Sequence, residues 1–109
     1  MPRFITFFSY TAASATAMIE HPSDRSAAAK ALVESLGGSM EAFYWMQGKH
    51  DGFLISNLRD GVTASALAAA VGASGAIGGI ETHQIFDRDE QSTIVKQAAT
   101  ARAAYKPPA

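Results

Sequence analysis

His50 and Asp51 stand side by side in the stretch Gln47-Gly48-Lys49-His50-Asp51-Gly52. An imidazole beside a carboxylate is a minimal apparatus for general acid–base chemistry, because the carboxylate fixes the ring's tautomer and stabilises its charged form. Adjacent residues of a strand point to opposite faces, so this pair acts together only where the chain bends. In the competing role, Asp51 serves the turn by accepting hydrogen bonds from nearby backbone amides. His83 is the second candidate for proton transfer, provided that its strand presents it to a cavity; a structural histidine is the alternative. Tyr10 and Trp45 are aromatic groups with a polar handle, suited to ligand contact or to core packing. The residues therefore assign catalysis to His50 and His83, and ligand binding to Tyr10, Trp45 and Asp51.

Other chemistries find less support. The chain has no cysteine, which removes thiolate catalysis, disulfide scaffolds and Cys-based metal sites. Its three histidines are far apart and form no EXXH, HXXH or HEXXH spacing, so no metal site is assigned. Gly72-x-x-Gly75-x-x-Gly78-Gly79 resembles a phosphate loop only in composition: it follows a helical pattern and precedes a strand, the reverse of the order that sets backbone amides at a helix N-terminus. No cofactor is expected. A net charge of −1 supplies no clustered basic field for nucleic acid or an anionic membrane, and both are excluded as partners.

The elements that must position these residues follow from periodicity. At 109 residues the chain is of single-domain size, and many of its apolar residues are alanines, so bulky core material is scarce and shared burial in an oligomer would help. Arg3–Tyr10 alternates Phe4, Thr6, Phe8 and Tyr10 against Ile5, Phe7 and Ser9, a strand with apolar groups on both faces. Thr11–Glu20 can start a helix that ends or kinks before Pro22. Ser23 or Asp24 then caps a second segment, in which Ala29, Leu32, Val33 and Leu36 share one face and Gly37-Gly38 closes the helix. Ser39–Leu58 reads as a β-hairpin, with Tyr44 and Trp45 on opposite faces and two glycines in its turn.

Asp60-Gly61 and Thr63 offer turn and capping chemistry ahead of Ala64, Leu67, Ala68 and Val71, which form the apolar face of a helix ending at Gly72. Ala73–Gly79 reads as a loop, Ile80–Phe86 as a fourth strand, and Asp87–Tyr105 as a helix with a thin apolar stripe. The expected fold is α+β: a ferredoxin-like βαββαβ arrangement with a four-stranded antiparallel sheet, plus a C-terminal helix. The domain spans residues 1–87, and residues 88–109 form a helical extension and tail. The apolar outer sheet face calls for a partner, so the chain is expected to form a homodimer, or a higher homo-oligomer, whose sheets close into a dimeric α+β barrel. The N-terminus reads as a strand rather than a secretory signal, and no apolar run reaches the roughly 18 residues of a membrane span, which makes a cytoplasmic location the default expectation.

Ser9-Tyr10-Thr11, Glu20-His21-Pro22, Leu36-Gly37-Gly38, Phe43-Tyr44-Trp45, Gly48-Lys49-His50-Asp51 and Ile80-Glu81-Thr82, in this order, give the stretch Phe4–Phe86 a resemblance to the GYD-domain family. That resemblance implies a ferredoxin-like fold and a dimeric α+β barrel, and brings no defined activity with it. The family's pattern is a Gly-x-Tyr-Asp turn; here His50 occupies the Tyr position, so a hydroxyl role at that place would be missing or taken by imidazole. The leading functional expectation is a homodimer that binds a small apolar or aromatic ligand in a cavity between sheet and helices, rimmed by Tyr10, Trp45, His50 and His83. By analogy of fold, the alternative is a cofactor-free monooxygenase or isomerase acting on a phenolic or lactone-like substrate. A purely structural oligomerisation module is the third reading.

Overall fold

In the computed structural model, which describes Met1–Ala109, the alternating run Arg3–Tyr10 forms strand β1 at the interior of a four-stranded sheet. It is followed by α1 (Ala12–Glu20), α2 (Arg25–Ser35), β2 (Ser39–Trp45), β3 (Gly52–Asn57), α3 (Gly61–Ala73), β4 (Ile77–Ile85) and α4 (Arg88–Ala104). All pairings are antiparallel and the strand order is β2-β3-β1-β4. This is the ferredoxin-like α+β arrangement expected from the sequence, with the first helical connection divided in two at His21-Pro22.

Each helix begins where a short polar side chain can satisfy a free backbone donor. Thr11, Asp24, Asp60 and Asp87 accept from the amides of Ser14, Ala27, Thr63 and Glu90 respectively. Glu90 returns a side-chain bond to the Asp87 amide, completing a capping box. Helix α2 ends at Gly37, whose φ of +78° is the left-handed conformation that glycine adopts without steric cost. Gly38 is then required for a different reason: a Cβ there would collide with the Asn57 carbonyl and the Leu58 side chain, so only glycine lets the chain enter β2 this close to the end of β3.

One parity of the sheet faces α2 and α3. Phe4, Leu54 and Leu58 meet Val33, Ala64 and Leu67 there, and Thr6 and Ser56 are buried among them. Buried residues number only 11 of 109, so this core is small for the chain. None of them belongs to α4, on which Ile94 and Val95 are exposed, as is Tyr105 at its C-terminal end. The radius of gyration is 17.5 Å, against about 13 Å for a compact domain of this length.

The fourth strand starts earlier than periodicity suggests. Ile77 already pairs with Tyr10, after which the register shifts between Ser9 and Tyr10 and continues through Gly79, opposite Ser9. Gly78 and Gly79 lack the β-branched or aromatic character that marks a strand, but they allow a bulged ladder to continue. The connecting loop is correspondingly shorter than Ala73–Gly79. No helix is long and apolar enough to cross a membrane.

Candidate functional site

The two faces of the sheet carry separate aromatic rows. On the helical side, Tyr10 stacks on Trp45 with centroids 5.3 Å apart and meets Phe8 edge-on at 5.4 Å, and Phe8 stacks on Phe43 at 5.4 Å. On the open side, His50 lies 5.4 Å from Phe7, Phe7 lies 6.1 Å from Phe53, and Phe53 lies 5.6 Å from Tyr44. The alternation of β1 and the opposed directions of Tyr44 and Trp45 divide the rings in this way. The candidate residues are divided with them. Tyr10 and Trp45 fall on one side, His50 and His83 on the other.

His50 and Asp51 do not form a pair. The Asp51 carboxylate accepts the Tyr10 backbone amide at 2.8 Å, and the Asp51 amide donates to the Phe8 carbonyl at 2.8 Å. Asp51 thus fastens the hairpin turn to the end of β1, bonding an amide distant in sequence rather than a neighbour within the turn. The His50 ring turns the other way, with Nδ1 3.4 Å from Ser9 Oγ. His83 Nε2 lies 3.1 Å from Glu81 Oε2, and this bond, joined by the charges of His83, His50 and Lys49, holds the Glu81 carboxyl below its ordinary range. The two histidines therefore share the neighbourhood of one carboxylate on the open face.

A cavity of about 290 Å³ lies on the helical side, between α2 and α3 above the sheet. Its size is at the small end of the roughly 300–1,000 Å³ typical of ligand pockets. Phe8, Phe43, Leu54, Leu67, Val71 and Ile80 supply much of the apolar wall. Only Thr6, Arg25, Ser74 and the hydroxyl of Tyr10 bring polar atoms to it. Trp45 backs the Tyr10 ring without lining the cavity. Burial pushes the Tyr10 phenol above its ordinary value, against the opposing pull of the Arg25 guanidinium beside it.

Arg25 escaped the sequence reading, although a signal was present. It lies one helical turn before Ala29, on the stripe that continues through Leu32, Val33 and Leu36. A cation on the apolar face of a helix is the pattern to look for. The walls from α3 and β4 were invisible for another reason: they belong to the site only because the sheet brings distant segments together.

The family model for the GYD domain matches residues 4–95. The chain belongs to the GYD-domain family. The match extends past β4 into the first half of α4, beyond the stretch Phe4–Phe86 that carries the motifs. No curated protein matches the chain. Within this GYD domain, the Gly48-Lys49-His50-Asp51 turn is the piece that ties β1 to the hairpin, through Asp51.

Proposed function

We propose that this GYD-domain protein is a homodimeric small-molecule-binding protein of the α+β barrel type, whose site is the apolar cavity between the sheet and helices α2 and α3. The cavity carries this reading: it is lined almost entirely by apolar side chains, with a few polar atoms at defined points, the composition expected of a site for a small apolar or aromatic ligand. The uncovered opposite face of the sheet supports the dimer. There Ile5, Phe7, Phe53 and Ile55 are flanked by the Arg3–Glu41 ion pair at one end and by His50 and the Glu81–His83 pair elsewhere. An apolar centre with a polar rim is the anatomy of a protein interface.

Trp45, stacked on a cavity residue, provides the readout. Titration with the neutral probe 4-phenylbutanol is expected to change Trp45 fluorescence saturably, and Ala29→Phe, which places a ring in the cavity, is expected to weaken binding at least tenfold. Absence of binding, or equal binding by the variant, overturns the reading in favour of a purely structural module.

The shared neighbourhood of His50, Glu81 and His83 favours one second reading, cofactor-free proton transfer on a phenolic or lactone-like substrate at the open face. Turnover from a panel of such substrates that disappears in both His50→Ala and His83→Ala supports it. Turnover unaffected by these changes removes the histidines from any reaction.

A further inference from the structure

We infer that the cavity takes a small amphipathic carboxylate, with its apolar body between α2 and α3 and its acid group on Arg25 and the Tyr10 hydroxyl. The inference rests on the binding reading above and adds the chemistry of the head group.

The polar atoms of the cavity differ in whether they are already occupied. The Thr6 hydroxyl is 3.3 Å from that of Thr82, and the Ser74 hydroxyl donates to the Val71 carbonyl at 2.6 Å and accepts from the Ala76 amide at 3.1 Å. Arg25 has the Tyr10 hydroxyl beside it and no paired carboxylate. Arg3 and Arg59 are ion-paired to Glu41 and Asp60, but no carboxylate lies within ion-pairing distance of Arg25. The neighbouring carboxylates are otherwise engaged: Asp24, next to Arg25 in the chain, holds the Ala27 amide and the Ser26 hydroxyl, and Asp51, beside Tyr10, holds the Tyr10 amide. A half-buried arginine at the edge of an apolar cavity, with a phenol hydroxyl beside it, offers a planar fork and a further donor. Both suit a carboxylate.

The space beyond Arg25 supports the same orientation. A second cavity of about 210 Å³ shares Tyr10, Arg25 and Ala76 with the first and is bordered by Ser14, His21 and Ser23. Tyr10 and Arg25 therefore divide an apolar compartment from one of mixed lining, where Ser14, His21 and Ser23 stand beside Ala17 and Met18. A ligand with an apolar body and a single charged end fits that division: the body leaves water on the α2–α3 side, while the acid group keeps its hydration on the α1 side. One guanidinium balances one carboxylate; a phosphate dianion would leave net negative charge beside Asp24 and Asp51.

Three probes of one shape test the head group, namely 4-phenylbutyrate, 4-phenylbutanol and 4-phenylbutylamine, each titrated by Trp45 fluorescence and by calorimetry. The acid is expected to bind at least tenfold more tightly than the alcohol, and the amine most weakly. Arg25→Gln is expected to erase the advantage of the acid while leaving the alcohol's affinity within about twofold, which also shows that the variant is folded. Tyr10→Phe is expected to reduce the advantage in part. Equal binding of acid and alcohol by the wild type overturns the head-group inference and leaves the cavity reading standing. An acid advantage that persists in Arg25→Gln overturns it as well. Failure of all three probes to bind overturns the cavity reading itself.

Discussion

Tyr10 is the residue at which three lines of the structure meet: its amide is held by Asp51, its ring stacks on Trp45, and its hydroxyl shares the cavity edge with Arg25. Burial favours the neutral phenol and the guanidinium favours the phenolate, with burial dominant. The consequence for titration is definite. Between the ordinary tyrosine value of about 10 and the raised folded value, the folded state holds a proton that the unfolded state has released. Stability therefore falls as pH rises through that window. The absorbance change lost in Tyr10→Phe is expected to have its midpoint above 10, and Arg25→Ala is expected to move that midpoint further up. A downward move would show that the guanidinium does not face the hydroxyl. Asp51 gives a separate test: Asp51→Ala is expected to cost about 1.5–3 kcal/mol, the range for a hydrogen bond to a charged group, measured by urea unfolding, with faster hydrogen exchange at the Tyr10 amide. Tyr10 was legible as a candidate from its position at the end of an alternating strand. The role of Asp51 was not, because its partner lies far away in sequence and only β1–β3 pairing brings them together.

The helices and strands follow the sequence closely wherever a strong local signal coincides with burial. Strands β1 and β3 keep the period-two pattern in their burial, β2 loses it where its register shifts between Met40 and Ala42, and α2 buries Val33 from the face that its spacing indicates. The beginning of β4 was hidden because its ladder runs through two glycines, whose pairing depends on β1 rather than on their own preference. Helix α3 shows how a cap adds a pH dependence. The Asp60 carboxylate accepts from the Thr63 amide and hydroxyl, both at 2.8 Å, and these bonds hold its pKa below the ordinary value. The unfolded chain therefore takes up a proton first as pH falls. The stabilisation is present above about 3.9, the ordinary Asp value, and is lost as pH drops through the folded value. Asp60→Ala is expected to lower the urea midpoint of the neutral-pH protein, as removal of an N-cap does. Its urea midpoint is also expected to depend less on pH between 5 and 2 than that of the wild type. An unchanged acid slope would detach α3 from this carboxylate.

For the whole molecule the deciding quantity is surface. The chain exposes 7431 Å², whereas a folded monomer of 11.5 kDa is expected to expose about 5,800 Å². The difference exceeds the ~800 Å² that each partner contributes to an ordinary interface. Two features contribute to it: the open sheet face with its row from His50 to Tyr44, and α4, none of whose residues is buried. Most helical stability in proteins comes from packing of an apolar face, so the 17-residue α4 calls for a surface to pack against. A second copy would supply apolar surface for both features at once. Light scattering is therefore expected to return twice the chain mass at micromolar concentration. Phe7→Asp, at the centre of the open face and away from the helical core, is expected to return the single-chain mass with its far-ultraviolet spectrum preserved. A wild type that is monomeric under these conditions removes the dimer. A dimer that survives Phe7→Asp with undiminished affinity moves the interface from the sheet to α4, where Ile94→Asp then becomes the disrupting change.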